Sequence, residues 1–313
     1  MSAASPLLAC AFILVNVASL AVLALILDGV DRKVRARVQR RVGPPILQTL
    51  YDVLKLYRRP VTRDELAGPF HSVAPALAFA TSLVGAAVIP SLLPTSGFQG
   101  DLIVAVYLIS SVSAITSFGA ASSGIPFSVV GGWREASLMM TSELVLGATV
   151  AAIASSSGSL MLSSLMPLIR PSTVKVSPII ALASLALLTY VEGGRLPFEI
   201  AEAEPELAGG VASGYGGPSL ALLMHSLLLK RVLLATLFLD LLVPWGAISN
   251  ALGAPLGLAV RALAFTLALT LVSLVSAVIE ALYGRCRPGH AISIVKKALI
   301  VSGVALIAAC VGF

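Results

Sequence analysis

The residues with the clearest capacity for chemistry are five glutamates in a short segment between Val191 and Leu207. The segment holds five of the chain's 15 acidic residues, beside a single Arg195. Close carboxylates repel one another, so some of them should exchange protons near neutral pH. The alternative is a merely solvated acidic loop. The five glutamates are Glu192, Glu199, Glu202, Glu204 and Glu206.

Four further charged residues interrupt long apolar stretches: Glu143, Lys230, Arg231 and Arg261. A charged side chain at bilayer depth costs at least ~2.5–3.5 kcal/mol on insertion scales, so such residues are usually paired and functional. Glu143, Lys230 and Arg231 are therefore candidates for an ion pathway. The alternative for each of them is a structural ion pair between helices.

Other polar residues in these stretches have simpler explanations. Asp240, close to Trp245, is expected at the membrane interface. Glu135 stands beside Arg134, which predicts a local salt bridge. His225 is expected to be a core histidine with satisfied hydrogen bonds.

The sequence offers no pattern for a bound metal or redox cofactor. The three cysteines and three histidines are scattered, and no C-x-x-C occurs. This predicts no iron–sulfur cluster, haem attachment or metal site in the chain. Any electron transfer is then expected in partner subunits, and no nucleic acid is expected among the partners.

The elements that must position these residues are membrane-spanning helices. Of 313 residues, 58% are hydrophobic and only 12% are charged, and the mean hydropathy is +0.98. Lipid satisfies no open backbone hydrogen bond, so each spanning helix needs about 20 mostly apolar residues. This predicts an all-α polytopic membrane protein with about eight transmembrane helices, forming one integral membrane domain over residues 1–313. The predicted spans are 6–27, 73–93, 101–122, 137–155, 175–192, 219–243, 255–282 and 291–312.

The first connection between spans is strongly basic. Ten of the 21 Lys and Arg residues lie between Arg32 and Arg63. Basic loops stay in the cytoplasm, which places both chain termini outside the cell membrane, although Arg170 and Lys175 fall on the other side. Apolar residues recur here at 46, 50, 54 and 57 and predict a short amphipathic helix along the cytoplasmic interface. The alternative is a basic anchor for anionic lipid.

Several motifs together resemble one known family. Residues 192–207 follow the pattern E-x-x-R-x-P-F-(D/E)-(L/I)-x-E-x-E-x-E-L. This pattern resembles the loop between the fifth and sixth helices of the NuoH family of complex I membrane subunits. Residues 31–55 are similar to the family's E-R-K…A-R-x-Q-x-R-x-G-P…D-x-x-K-L pattern, and residues 134–143 to its R-x-x-x-x-x-x-S-Y-E stretch. Tyr215 and Gly217-Pro218 continue the resemblance.

The details resemble the membrane-bound hydrogenase branch of this family, including its archaeal hydrogenase and sulfane-sulfur reductase groups. Gly43-Pro44-Pro45 stands where quinone enzymes favour G-P-N. Those enzymes usually have E-Y in place of Gly214-Tyr215, and R-x-R-x-D-Q in place of residues 285–290. The acidic residue Glu280, shortly before Arg285, resembles the Ech and formate-hydrogenlyase branch instead.

The resemblance implies a coupling subunit of a redox-driven H⁺ or Na⁺ pump. Hydrogenase-like large and small subunits would form a peripheral arm with iron–sulfur clusters and, in a hydrogenase, a nickel–iron centre. Antiporter-like subunits would follow in the membrane. The five glutamates with Arg195 would form a charged funnel facing the peripheral arm, and Glu143, Lys230 and Arg231 would carry the signal onward. The residues expected to dock the arm are Arg37, Arg40, Arg41, Asp52, Lys55, Arg285 and Arg287.

Three alternatives remain at this point. A quinone- or methanophenazine-reducing relative would need a lipophilic cavity beneath the acidic loop that opens to the bilayer. A stand-alone secondary transporter would use the intramembrane charges, although no internal repeat supports it. A purely structural anchor would tolerate neutral replacements at Glu143 without loss of ion transport.

Overall fold

The computed structural model is all-α. It describes residues 6–61, 66–93, 100–166, 168, 175–251 and 256–312, without the side chains of 6–9, 204, 205 and 249–251. Arg170 lies outside this part of the chain. No strand occurs within the described ranges. Asp101 and Met161 form an isolated antiparallel β-bridge there.

Twelve α-helices and one 3₁₀ turn occupy the described residues. They are α1 (Pro6–Val38), α2 (Gln48–Tyr57), α3 (Pro69–Val88), α4 (Leu102–Ala121), α5 (Pro126–Ser157), α6 (Leu162–Leu165), α7 (Val176–Glu192), α8 (Glu204–Leu207), a 3₁₀ turn (Gly210–Gly214), α9 (Gly217–Leu242), α10 (Trp245–Ala251), α11 (Leu256–Leu282) and α12 (Pro288–Val311).

Seven of these described helices are long and apolar enough to cross a membrane: α1, α3, α4, α5, α9, α11 and α12. The expected fifth span, 175–192, forms α7, an apolar helix of 17 residues. The polytopic all-α prediction is therefore confirmed.

Two predicted spans have wrong boundaries. The first, 6–27, continues as α1 to Val38, so part of the expected basic loop is helical. The fourth, 137–155, is the second half of the 32-residue α5, which begins at Pro126. Hydropathy ends a span at the first charged turn, whereas a helix continues while its charged side chains find partners. Proline at the first helical positions and a left-handed Gly158 after the last turn set the bounds of α5.

The helix α9 is the most deeply buried of the long helices and forms the centre of the bundle. It packs against α1, α3, α4, α7 and α11, while α12 lies outside against α5 and α7. Small residues let these helices approach closely: Ala74, Ala78 and Ser82 on α3 are fully buried.

The two ends of the bundle differ in charge. At one end, hereafter the basic end, residues 39–61 and 66–68 meet residues 122–125, 193–217 and 283–287. Contacts that join them include Gly68 N to Ser122 O (2.9 Å) and Cys286 N to Pro197 O (2.9 Å). At the opposite end, hereafter the far end, Asn16 exchanges hydrogen bonds with the backbone of Leu93.

The expected helix of the first loop is confirmed as α2, at the basic end. It packs against α1 and α9. Thr49 and Val53 are buried in that contact, while Tyr51 and Leu54 point outward at 55% and 49% exposure. An outward apolar face with basic neighbours suits the membrane interface.

Candidate functional site

A buried lysine stands at the centre of the bundle. Lys230 on α9 is 2% exposed, and its Nζ lies 2.6 Å from Oε2 of Glu192, the last residue of α7. The other carboxylate oxygen of Glu192 accepts a hydrogen bond from Ser142 on α5. Lys230 also donates to the hydroxyl of Ser113 on α4. Four helices therefore meet at one ion pair.

Glu135 belongs to the same group, and its expected salt bridge with Arg134 is wrong. Ser113 Oγ donates to Glu135 Oε1 at 3.0 Å, while Arg134 points away and pairs with Glu206. Successive residues on a helix face directions about 100° apart, so neighbours in sequence need not meet. Glu135 and Ser142 are seven residues apart and share the inner face of α5, a spacing that could have identified Glu135.

We call these five residues the lysine cluster: Glu135 and Ser142 on α5, Ser113 on α4, Glu192 on α7 and Lys230 on α9. It contains one lysine and two carboxylates. The lysine can offset the charge of only one of the two carboxylates. The hydroxyl of Ser113 joins the lysine to the second carboxylate and provides a hydrogen-bonded route between them.

A second group of buried charges surrounds Arg195. Its guanidinium lies 2.9 Å from Asp31 on α1 and 2.9 Å from Glu280 on α11. Glu280 also pairs with Arg35 at 3.0 Å, and Asp31 accepts from Ser273 at 2.6 Å. We call these five residues the arginine cluster. Two cations balance two carboxylates, so this group is electrically neutral.

Arg231 lies between the two clusters. Its Nε donates to the carbonyl of Gly193 at 2.9 Å, directly after Glu192, and its guanidinium lies 3.5 Å from Asp28 on α1. Asp28 in turn accepts from Thr49 on α2 at 2.8 Å. The adjacent residues Lys230 and Arg231 thus both bond to the end of α7, and they also connect α9 to α4 and to α1 respectively.

The arginine cluster, Arg231 and the lysine cluster form a line of charges, and two small cavities lie along it. One, of about 60 Å³, is lined by Glu135, Glu192 and Lys230. The other, of about 210 Å³, is lined by Asp28, Arg195 and Glu280. Glu199, Glu202 and Arg231 line both cavities. Both are polar and large enough to hold water, which would complete the hydrogen bonding between the clusters.

The acidic segment folds over these cavities. Glu199 pairs with Arg285 at 3.3 Å, and Glu206 pairs with Arg134 at 2.9 Å. The hydrogen bond from Arg134 holds the pKa of the exposed Glu206 below its ordinary value. The side chain of Glu204 lies outside the described residues.

The fold of this segment depends on Gly210. Gly210 has a φ of +49°, and a Cβ there would lie 1.8 Å from the carbonyl oxygen of Ala201. Glycine alone permits this close approach, which ties the 3₁₀ turn to the start of the segment.

Glu143 is separate from the lysine cluster. It is partly buried and lines an apolar cavity of about 340 Å³ between α4 and α5, together with Tyr107 and Ser110. It is close enough to Glu192 and Lys230 to interact with their charges electrostatically. Ser110 of this cavity lies one turn before Ser113 of the lysine cluster on α4.

The residues expected to dock a peripheral arm lie at the basic end. Five of them are exposed, and they are Arg37, Arg40, Arg41, Lys55 and Arg287. Asp52 is half-buried, bonding to Gln48 at 2.9 Å and facing Arg32 at 3.7 Å. Arg285 is engaged with Glu199.

At the far end, Asp240 is fully buried at 0% exposure, two residues before the end of α9. Its expected position at the membrane interface stays a prediction. Arg261, 6% exposed, donates to the carbonyl of Ser91 at 3.1 Å. His225 approaches the carbonyl of Ala21 at 3.1 Å, in agreement with a satisfied core histidine. Within the described ranges, no three His, Cys, Asp or Glu side chains come together to hold a metal ion.

The fold and site define a class of protein, a polytopic all-α membrane protein with a chain of buried ionisable groups beneath an acidic segment. The sequence profile described as NADH dehydrogenase matches residues 10–311. The chain therefore belongs to the NADH dehydrogenase family, whose members are NuoH-like membrane subunits.

Individual relatives come from several branches. The chain is 31% identical to formate hydrogenlyase subunit 4 of Escherichia coli (strain K12) over 227 residues, covering 71% of this chain and 73% of that one. It is 33% identical to hydrogenase-4 component C of the same organism over 240 residues, covering 75% and 76%. It is 28% identical to NADH-quinone oxidoreductase subunit 8 of Rhodothermus marinus over 251 residues, covering 73% and 72%.

The fold is also that of a solved chain. A chain in the structure of the membrane-bound sulfane sulfur reductase, an archaeal respiratory membrane complex, superimposes with a TM-score of 0.82. The match covers 96% of this chain and 99% of that chain at 22% sequence identity. At this identity the likeness establishes the fold.

Proposed function

We propose that this chain is the membrane-arm coupling subunit of a redox-driven, ion-pumping oxidoreductase complex. The observation that carries the proposal is the line of buried charged and hydroxyl groups. It runs from the arginine cluster at the basic end, through Arg231, to the lysine cluster among α4, α5, α7 and α9. Relatives whose names place them in hydrogenase, formate hydrogenlyase and quinone oxidoreductase complexes support it.

In such a complex, the peripheral arm would act on the line of buried charges through the acidic segment. Glu199 and Glu202 line the same cavities as Arg231. A change in the charge or position of either glutamate would alter the field at the buried pair of Lys230 and Glu192. Electrostatic effects are strong there because little water screens them. The lysine cluster would respond by binding or releasing a proton, and Glu143 is the next carboxylate toward a neighbouring subunit.

The basic end would face the cytoplasm and dock the peripheral arm. Exposed arginines and Lys55 supply a positive surface there for acidic partner surfaces. The redox cofactors would belong to hydrogenase-like partners, as iron–sulfur clusters and, in a hydrogenase, a nickel–iron centre. Antiporter-like subunits would extend the membrane arm, and both chain termini would lie outside the plasma membrane.

The favoured branch is a membrane-bound hydrogenase or sulfur reductase. Support comes from the two hydrogenase-related proteins of E. coli at 31% and 33% identity. It also comes from the charged lining of the 210 Å³ cavity, where arginines and Asp28 suit water better than an isoprenoid quinone.

One observation favours a second candidate, reduction of a lipid-soluble quinone or methanophenazine. An apolar cavity of about 570 Å³ lies between α7, α9 and α11, beside the acidic segment. Tyr190, Phe198 and Tyr283 line it, and Phe198 belongs to the acidic segment itself. Its lining and position meet the lipophilic requirement of that candidate.

The first experiment is gentle purification of the tagged chain from its native membrane, with mass spectrometry of partners and nickel analysis. Hydrogenase-like and antiporter-like partners with nickel are expected. The same partners without nickel would favour the sulfur- or quinone-linked candidates, and quinone-dependent turnover by that complex would select the latter. A chain that purifies alone, while other complexes survive, would overturn the proposal and favour a transporter.

The second experiment tests the line of charges. In the intact complex reconstituted into vesicles, Lys230→Met is expected to lower the number of ions moved per electron at least severalfold. Lys297→Met is the matched control, because Lys297 is an exposed lysine on the spanning helix α12. An unchanged ratio in an assembled Lys230→Met complex would contradict the coupling role.

A further inference from the structure

The far end holds the largest group of unsatisfied polar atoms among the described residues. Across those residues, eleven buried side-chain nitrogen or oxygen atoms lack a hydrogen-bond partner. Six of the eleven belong to Ser91, Thr236, Asp240, Trp245 and Arg261. Buried polar groups in folded proteins are almost always satisfied by protein or by water. A concentration of exceptions in one place indicates that something else is bound there.

These five residues, the far-end cluster, come from four segments. Asp240 is on α9, with Thr236 one turn before it, and Trp245 begins α10. Arg261 is on α11 and donates to the carbonyl of Ser91, just beyond α3. Asp240, Thr236 and Ser91 are completely buried, and Trp245 is 3% exposed. The ring of Trp245 packs edge-on against Phe265, which closes the group on one side.

Asp240 is the central member. Both of its carboxylate oxygens lack a hydrogen bond, although the guanidinium of Arg261 and the indole of Trp245 act on the group. The other charged side chains described near this end are Asp101 and Lys175, at the N-termini of α4 and α7, and neither acts on Asp240. A buried carboxylate that lacks hydrogen bonds becomes neutral by binding a proton, or it bonds to water.

We propose that Asp240, with Arg261 and Trp245, forms a buried proton-binding site at the far end of the bundle. The ligand is a proton on the Asp240 carboxyl group. Bound water between that group and Arg261 satisfies the remaining donors and acceptors. Proton transfer is a simple exchange, in which the carboxylic acid gives its proton to this water and the water returns it to the carboxylate.

The position of the site gives it a use within the proposed pump, and this part of the inference rests on the proposed function. Lys230 of the lysine cluster and Asp240 are both on α9, and Lys230 precedes Asp240 by ten residues, or about 15 Å of helix. The two sites therefore lie at different depths of the same central helix. A proton released toward the far side would use the far-end cluster as its last buried station.

The test is infrared difference spectroscopy of the intact purified complex, which does not depend on pumping. The wild type is expected to show a carboxylic-acid carbonyl band at neutral pH that shifts in heavy water and is lost in Asp240→Asn. Asp101→Asn is the matched control, an aspartate at the same end that caps α4 through Ile103 N and is only partly buried. That variant is expected to keep the band.

If Asp240→Asn fails to assemble, Asp240→Glu with carbon-13-labelled aspartate replaces it. The labelled wild type should show a band shifted by the label, and the glutamate variant should lose that shift. A spectrum without any Asp240-dependent acid band, in either approach, means that the carboxylate is ionised and overturns the proposal. If the wild type shows the band but Asp240→Asn moves the same number of ions per electron, the proton-binding site is supported. Its use in pumping is then overturned.

Discussion

The lysine cluster and the far-end cluster share the central helix α9 but differ in how their carboxylates are bonded. In the lysine cluster, Glu192 meets both Lys230 and Ser142, and Glu135 meets Ser113. In the far-end cluster, the carboxylate of Asp240 meets no hydrogen-bond partner among the described residues. Lys230, Glu192 and Asp240 are all nearly inaccessible to solvent.

The difference teaches that burial alone does not define a coupling site. A paired buried charge responds to a change in its neighbours, because the ion pair can open, close or pass on a proton. The protonation of a buried carboxylate without an ion-pair partner depends instead on whether protons and water can reach it. The two clusters should therefore differ in how they respond to neutral substitutions.

The largest effect is expected at the arginine cluster, the most densely paired part of the line. Arg195→Gln leaves Asp31 without its ion-pair partner, whereas Glu280 keeps Arg35. Removing one member of a buried pair typically costs about 3–5 kcal/mol. We expect a marked fall in the Tm of the purified complex, measured by a thermal shift assay. The double variant Arg195→Gln/Asp31→Asn should recover part of the loss, and no recovery would argue against pairing as the cause.

Next in size is the stability effect of Lys230→Met. It leaves Glu192 with Ser142 as its hydrogen-bond donor and removes the balancing cation. A loss of about 3 kcal/mol is the lower end of the range for broken buried pairs. The double variant Lys230→Met/Glu192→Gln should regain stability, since Glu192 no longer leaves an uncompensated charge. The ions moved per electron should stay low in that variant, which separates coupling from stability.

Asp240→Asn should change the Tm less than Lys230→Met does, and it should not lower it. No ion pair is lost, and the amide has nearly the shape of the neutral acid. The Tm is expected to be equal to or higher than that of the wild type. A Tm fall as large as that of Lys230→Met would show that Asp240 is a paired anion, and the contrast between the clusters would disappear.

The smallest effect is expected at the exposed pair of Arg134 and Glu206. Solvent screens this contact, so Arg134→Gln should change the Tm least among these variants. The pKa of Glu206 is lowered in the folded protein. Its contribution is therefore present above the ordinary glutamate range and lost as the pH falls through the lowered pKa. The small Tm difference between wild type and Arg134→Gln should vanish in acid and in high salt.

Much of the site was predictable because its residue types are costly in a membrane. Lys230 and Arg231 were identified from charge within apolar sequence, and Glu192 and Arg195 from the acidic segment and its motif. All four belong to the network of buried charges. Ser113 was not predictable, because serine is common in membrane helices and only its contact with Lys230 gives it a role.

Glu135 was misplaced because its partner was sought beside it in the sequence. It was assigned to a salt bridge with its neighbour Arg134. Helix geometry points adjacent side chains in different directions, so partners come from other helices. Glu135 accepts a hydrogen bond from Ser113 on α4.

The sequence by itself determined the membrane location, the all-α class, the amphipathic α2 and the family, because hydropathy and motif spacing are properties of the chain alone. The tertiary structure decided which charges are paired: Lys230 lies 2.6 Å from Glu192, whereas the carboxylate of Asp240 has no hydrogen-bond partner within the part of the chain that the structure describes. It also decided that the acidic segment covers two polar cavities. Pairing requires side chains from different helices to meet within about 3 Å, and helix packing sets that distance.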